Sequence, residues 1–230
     1  MLAQKGGCMI ETNPWKTIWT EPRATIASVV SQNPNRHLWW LSSIYGFSSL
    51  LNTFQSILLG ATVSLPGIFL LAIVFAPLWG YICFSVWSWV VSFTGKWLKG
   101  VGTFQQVRAA YAWSVVPLLA NIPLWFVLAA VFGQQLFTNF SDSTVVTNGQ
   151  VALLFAILLV RIGATVWSIV IYINALAQVQ QFTILRAIGN ILLAGLIFAV
   201  AAYLILILFF GVMGQSAPAA INPFNLLETL

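Results

Sequence analysis

Charged side chains are scarce in this sequence, and their scarcity excludes an ordinary soluble protein. They make up 6% of the 230 residues, whereas soluble domains carry about 25%. Only four residues are acidic, and 60% are hydrophobic. So few charges cannot cover a globule with a solvated surface. A lipid bilayer is the solvent that suits this composition, and short loops between the apolar runs favour one compact bundle.

The residues that catalysis and metal binding need are also nearly absent. There is one histidine, His37, and two widely separated cysteines, Cys8 and Cys83, without metal-ligand spacing. No Gly-rich phosphate loop, His-Glu-x-x-His, Gly-x-Ser-x-Gly or pair of carboxylates occurs within an apolar run. The sequence therefore predicts no catalytic residue, no metal site and no cofactor.

Five apolar runs are long enough to cross a hydrocarbon core of about 30 Å, which requires about 20 residues. They are residues 38–60, 67–94, 109–133, 151–176 and 188–213. The sequence predicts an all-α, polytopic membrane bundle of five transmembrane helices. A segment of residues 1–37 precedes the bundle, and a short tail of residues 214–230 follows it.

Basic residues alternate between the loops that join these runs. Eight of the nine Lys and Arg residues fall in the N-terminal segment, the second loop and the fourth loop. Because cytoplasmic loops are enriched in Lys and Arg, this pattern predicts a cytoplasmic N-terminus and an external C-terminal tail. The partners expected for these residues are anionic lipid headgroups at the cytoplasmic face rather than nucleic acid.

Aromatic and basic residues flank the runs at the depth expected for headgroups. Indole rings favour that depth because they join an apolar body to a polar N–H. The predicted membrane-interface residues are Trp15, Trp19, Arg23, Arg36, Trp39, Trp40, Lys96, Trp97 and Lys99. Trp113 also falls near the predicted cytoplasmic interface.

The N-terminal segment carries two short helical patterns. Apolar residues recur at i, i+3 and i+4 in both, as Trp15, Ile18 and Trp19, then as Ile26, Val29 and Val30. Two interpretations remain open. The segment forms short amphipathic helices that lie on the cytoplasmic leaflet, or these helices pack against the cytoplasmic ends of the bundle.

Arg161 is the one basic residue within an apolar run. A charge near the middle of the membrane costs about 2.5–3.5 kcal/mol on insertion scales, and no apolar run contains an acidic residue to pair with it. Its partners are expected to be groups other than a carboxylate: carbonyls freed by proline, water, a lipid phosphate, or a polar side chain. The side chains predicted to form this intramembrane polar site are Asn52, Gln55, Asn121 and Tyr81.

Three prolines are predicted to kink the helices near this site. Pro77 lies in the second run, and Pro117 and Pro123 lie in the third run on either side of Asn121. Each proline removes a backbone hydrogen bond and frees a carbonyl group. Kinks of this kind occur in transporters and in inert bundles, so they do not by themselves indicate a function.

Several motifs resemble the bacterial members of the Yip (Ypt-interacting protein) domain family. They span nearly the whole chain: Asn13-Pro14-Trp15, Thr17-Ile18-Trp19, 22–26 (Pro-Arg-Ala-Thr-Ile), Asn33-Pro34, 112–117 (Ala-Trp-Ser-Val-Val-Pro) and 178–182 (Gln-Val-Gln-Gln-Phe). The resemblance implies a five-span protein of the bacterial cytoplasmic membrane with a cytosolic N-terminus and no catalytic residues. Eukaryotic relatives carry a longer cytosolic N-terminal region and act with Rab-type GTPases, so that role is not expected here.

Two classes of function remain. The first is a non-enzymatic scaffold that organises the membrane and associates with itself or with other membrane proteins. The second is a transporter, channel or lipid-handling protein that uses a polar path around Arg161. A water-accessible cavity at Arg161 would favour the second class, and an Arg161 packed tightly against carbonyl groups would favour the first.

Overall fold

A computed structural model describes residues 13–138 and 147–215, with side chains up to Leu208. Within these ranges the chain is helical and contains no strand. Its α-helices are α1 (Pro14–Thr17), α2 (Pro22–Gln32), α3 (Leu38–Ser56), α4 (Leu65–Trp97), α5 (Phe104–Ser114), α6 (Asn121–Phe132), α7 (Asn148–Gln180) and α8 (Ile184–Gln215). Three short 3₁₀ helices are Leu59–Ala61, Val116–Ala120 and Gly133–Phe137. The first 12 residues and residues 216–230 of the predicted tail lie outside the described part, while residues 214 and 215 of that tail belong to α8.

The prediction of five membrane spans is wrong by one. Among the described residues, four helical segments are long and apolar enough to cross a membrane: Leu65–Trp97, Phe104–Phe137, Asn148–Gln180 and Ile184–Leu208. The first predicted span, residues 38–60, forms α3 instead. Eight of the 19 residues of α3 are Ser, Thr, Asn or Gln, so its average apolarity falls short although its length is sufficient.

Helix α3 nevertheless packs along the bundle, antiparallel to the first two thirds of α4. Trp39 stacks on Tyr81 near the start of α3, and Phe47 packs against Phe69 further along. Gly46 and Gly80 allow the two backbones to meet. Close helix approach through small residues is common in membrane bundles, so α3 is an integral part of this one.

Capping boxes set the starts of α5 and α7. Thr103 accepts a hydrogen bond from the Gln106 backbone N–H while the Gln106 side chain accepts one from the Thr103 N–H. Thr147 and Gln150 make the same reciprocal pair. These boxes satisfy N–H groups that the first turn of a helix leaves free. They place both starts a few residues before the apolar runs at 109 and 151.

The third predicted span is broken at its centre. Helix α5 ends at Ser114 and a 3₁₀ helix, Val116–Ala120, follows. Because Pro117 has no N–H and cannot continue the α-helical ladder, the Leu118 N–H bonds to Val115 O. The carbonyl of Ser114 instead accepts a 2.8 Å hydrogen bond from the Ser168 hydroxyl of α7. This carbonyl therefore has a partner in the neighbouring helix.

Helices α1 and α2 pack against α5 and α7. Ile18, Ile26 and Val29 are buried in the largest apolar cluster of the described residues. Trp15 lies 5.2 Å, between ring centroids, from the buried Trp113 of α5. Protein therefore covers this apolar face. Trp113 was expected at the lipid interface, but the N-terminal segment encloses it.

The starts and ends of the helices fall into two halves of the bundle. The basic half contains α1 and α2, the start of α3, the ends of α4 and α7, and the starts of α5 and α8. Seven of the eight described Lys and Arg residues lie there, at positions 16, 23, 36, 96, 99, 108 and 186. The opposite half contains the 3₁₀ helices Leu59–Ala61 and Gly133–Phe137 and the start of α7. The spatial arrangement thus reproduces the separation of charge that the sequence indicated.

Candidate functional site

A polar groove of about 410 Å³ opens between α3, the break in the third span and α7. Its hydroxyl and amide groups come from Tyr45, Ser48, Ser49, Asn52, Thr53, Ser56, Asn121 and Thr165. The six residues from α3 follow helical spacing, so they form one stripe on the helix. Another wall of the groove is formed by residues at the break in the third span, namely Val115, Leu118, Leu119 and Asn121. We call this groove the polar groove.

Several groups in the polar groove are free to accept hydrogen bonds. The hydroxyls of Thr53, Ser56 and Thr165 donate to backbone carbonyls one turn earlier in their own helices. Their oxygen lone pairs remain available to a ligand. The Asn121 Oδ1 atom is buried without a hydrogen-bond partner. A group that donates hydrogen bonds would therefore be complementary to this lining.

Arg161 lies beside the polar groove. Its backbone carbonyl accepts the hydroxyl of Thr165, which places the two residues one turn apart on the same face of α7. The guanidinium carbon lies 4.8 Å from the ring centroid of Trp125, a cation–π contact. The indole N–H of Trp125 donates to Ser48 of the groove over 3.2 Å. Arg161 is thus connected to the groove through both neighbours.

The guanidinium of Arg161 has free hydrogen-bonding capacity. Its Nε and Nη2 atoms are buried and have no partner among the described residues. The arrangement therefore differs from an arginine held by carbonyl groups. A buried donor without a partner is costly, and an anion or water beside Arg161 would remove that cost.

The structure separates the other polar residues predicted around Arg161. Asn52 lines the polar groove and donates to Ser48 O, and Asn121 lines it at the break. Gln55 points elsewhere and donates to Leu136 O in the opposite half. Tyr81 lies in the basic half, where its hydroxyl accepts from Arg108. Two of the four predicted neighbours therefore belong to the groove.

Arg108 is the residue whose importance sequence reasoning missed. It was counted as a loop cation, yet only 7% of its surface is exposed. Its Nη1 donates to the Tyr81 hydroxyl and its Nη2 to Asn35 Oδ1, both over 2.9 Å. It also lies over the rings of Tyr81 and Phe104. Arg108 ties the linker between α2 and α3 to α4, a role that charge counting along a sequence does not reveal.

The predicted kinks fall in three different settings. Helix α4 continues through Pro77. Pro117 is the second residue of the 3₁₀ helix at the break, and Pro123 lies in the first turn of α6. Only Pro117 is associated with an interruption of the helix. That interruption forms one wall of the polar groove.

Most of the predicted interface tryptophans are exposed. Trp19, Trp39, Trp40 and Trp97 expose between 41% and 70% of their surface, and Lys96 and Lys99 are exposed beside them. Arg23 donates to Asn174 of α7 and Arg36 to Gln32 of α2, so both also contact protein. Trp15 is the exception, since it packs between His37 and Trp113.

Comparison with known proteins identifies a family. A family model described as the Yip1 domain matches residues 16–209, most of the chain. No curated protein and no solved structure matches. In the described part of the chain, no three His, Cys, Asp or Glu side chains are grouped to hold a metal ion.

Proposed function

Because this chain belongs to the Yip1 domain family and is an integral membrane protein, we propose that it acts without catalysis as a membrane scaffold. In this proposal the basic half faces the cytoplasm of a bacterial cell, and α8 leads the C-terminus to the external side. The protein recruits anionic lipid at its basic half and associates with itself or with other membrane proteins there.

The observation that carries this proposal is the composition of the basic half. Exposed lysines lie next to exposed tryptophans, as Lys96 and Lys99 do around Trp97. Lysine near a membrane surface attracts anionic headgroups by about 1 kcal/mol per residue, and indole rings anchor a protein at headgroup depth. This surface suits lipid recruitment, because its cations have few acidic neighbours: Glu21 is the one acidic residue described.

Fluorescence quenching by brominated lipids tests the recruitment of anionic lipid. In vesicles with equal mole fractions, brominated phosphatidylglycerol is expected to quench tryptophan more than brominated phosphatidylcholine. Salt should reduce the difference, since exposed charges are screened over about 8 Å at physiological ionic strength. Lys96→Gln with Lys99→Gln should also reduce it, whereas Lys96→Arg with Lys99→Arg should preserve it. Equal quenching by both lipids would refute recruitment.

The same vesicles distinguish a scaffold from a transporter. A scaffold should release a trapped dye or ion no faster than vesicles without protein. Faster release would support the alternative, a transporter or channel. The polar groove gives that alternative a location, but its members Asn52, Thr53 and Thr165 are exposed at the surface of the protein. That position suits a laterally bound lipid better than a solute in a pore.

A further inference from the structure

We propose that the polar groove binds a phospholipid whose headgroup carries hydrogen-bond donors, with Arg161 pairing with the lipid phosphate. This site goes beyond the recruitment of anionic lipid by the basic half, since the groove occupies the side of α3 that faces α7. Phosphatidylethanolamine, with its ammonium group and phosphate diester, is the simplest ligand of this class.

Polar side chains in the groove are costly to leave without hydrogen-bond partners in a membrane. Thr165 lies near the middle of α7, one of the four helices apolar enough to cross a membrane, and the exposed Asn52, Thr53 and Ser56 of α3 line the same groove. Hydrocarbon offers no hydrogen bonds to such groups. Polar side chains at this depth usually face a protein neighbour or a water-filled cavity. A ligand that brings polar groups to this depth would satisfy them.

The lining of the polar groove determines which lipid headgroups could bind there. This lining is neutral and rich in acceptors, because several hydroxyls already donate within their own helices. The oxygen Oδ1 of Asn121 is a further unpartnered acceptor. An ammonium or hydroxyl headgroup donates hydrogen bonds to such a lining, whereas a choline headgroup has no N–H or O–H to donate.

The guanidinium of Arg161 can bind an anion. Its buried Nε and Nη2 donors have no partner, and no carboxylate occurs in the described helices of the bundle core. Guanidinium groups bind phosphate through paired N–H donors. A phosphate diester beside Arg161 would supply both the negative charge and the acceptors that the protein does not.

An apolar surface adjoins the polar groove. An apolar groove of about 360 Å³ lies between α3 and α4, lined by Leu50, Phe54, Phe75 and Trp79 among others. The indole N–H of Trp79 donates to Ser49 of the polar groove over 3.2 Å. A polar groove next to an apolar one matches a molecule with a polar headgroup and an acyl chain.

Lipid retention by the detergent-solubilised full chain tests the proposal. Phosphatidylethanolamine and phosphatidylcholine with the same acyl chains are titrated, and bound lipid is counted by native mass spectrometry. Wild-type protein should bind phosphatidylethanolamine about tenfold more tightly, the effect of one or two net hydrogen bonds. Diacylglycerol, which lacks the phosphate, should bind no better than phosphatidylcholine. Phosphatidylcholine or diacylglycerol binding as tightly as phosphatidylethanolamine would overturn the proposal.

Three variants locate the site. Arg161→Gln should weaken phosphatidylethanolamine binding about tenfold, as expected for the loss of a charge-assisted hydrogen bond. Arg186→Gln, an exposed cation of the basic half, should bind as the wild type does. If Arg161→Gln does not fold, Asn52→Leu decides, because Asn52 is exposed and nearly isosteric with leucine. Unchanged selectivity in Asn52→Leu would place the lipid elsewhere and overturn the proposal.

The ligand also has to be a lipid rather than a free phosphate compound. Glycerophosphoethanolamine, which has the headgroup and phosphate but no acyl chains, should not displace bound phosphatidylethanolamine at equal concentration. Displacement would contradict the role of the apolar groove. Since phosphatidylethanolamine carries no net charge, these results are independent of whether the basic half recruits anionic lipid.

Discussion

Replacing Gly80 by alanine is expected to lower the free energy of unfolding by about 2–3 kcal/mol, a typical penalty for overpacking. A Cβ at Gly80 would overlap the backbone carbonyl of Ser42, and a Cβ at Gly46 would overlap that of Ala76. Backbone atoms cannot rotate out of the way as a flexible side chain can. Helix α3 would therefore have to move away from α4 and lose its packing along that helix.

Gly163→Ala in α7 is the matched control for this substitution. A Cβ at Gly163 would meet no atom within 4 Å, and alanine favours a helix over glycine by about 1 kcal/mol. This variant should unfold at the same or a slightly higher denaturant concentration. Unfolding in mixed micelles, followed by tryptophan fluorescence, measures both. Equal stability of the two variants would show that α3 does not pack on α4 as described.

Replacing Trp113 by alanine is expected to have the largest effect of any single side-chain truncation in the basic half. Trp113 is 1% exposed and contacts the rings of Trp15 and His37. Truncating a buried aromatic side chain costs about 3–5 kcal/mol, because a cavity replaces its contacts. The N-terminal helices should also separate from α5, since Trp113 forms the surface on which Trp15 packs.

Two readouts separate these consequences. The first is the free energy of unfolding, and the second is the rate of trypsin cleavage after Arg23 and Arg36. Both should change in Trp113→Ala. Trp167→Ala in α7 is the control, because 43% of Trp167 is exposed and it is not part of the N-terminal contact. A Trp113→Ala protein that matches this control in both readouts would contradict the docked arrangement of α1 and α2.

The apolar runs and the charge pattern of the sequence predicted the membrane spans and their relative directions. The predicted number of spans was wrong because α3 was counted as one of them. The run at residues 38–60 reads as apolar because Trp, Leu, Phe and Ile are conspicuous in it. Its eight Ser, Thr, Asn and Gln residues lower the average. Their helical spacing was the missed signal, since a stripe from Tyr45 to Ser56 predicts a polar face on one side of the helix.

Local motifs in the sequence would have improved the prediction of the helix boundaries. Thr103 with Gln106 and Thr147 with Gln150 both fit the spacing of a capping box, which marks a helix start more accurately than the first apolar residue does. Pro117 was one of the three prolines predicted to kink a helix, and it lies at the break in the third span. Its consequence, a 3₁₀ segment beside the polar groove, also depends on Ser168, which lies 54 positions from its acceptor Ser114.

The environment of a cation depends on contacts between distant segments. Arg108 and Lys99 look alike in a loop count, yet Arg108 is buried by Tyr81, Phe104 and Asn35 while Lys99 is exposed. Arg161 was identified from its position in an apolar run. Trp125, its neighbour, could not be identified that way, because the contact requires α6 and α7 to be antiparallel and in register.

Placement of the basic half on the cytoplasmic side is tested most directly by thiol labelling from each face of the membrane. Ser31→Cys in α2 and Gln135→Cys in the opposite half both substitute exposed residues, in a background with Cys8→Ser and Cys83→Ser. A membrane-impermeant maleimide should label Ser31→Cys only from the cytoplasm and Gln135→Cys only from outside. Labelling of both from one side, or the reverse pattern, would contradict the proposed orientation.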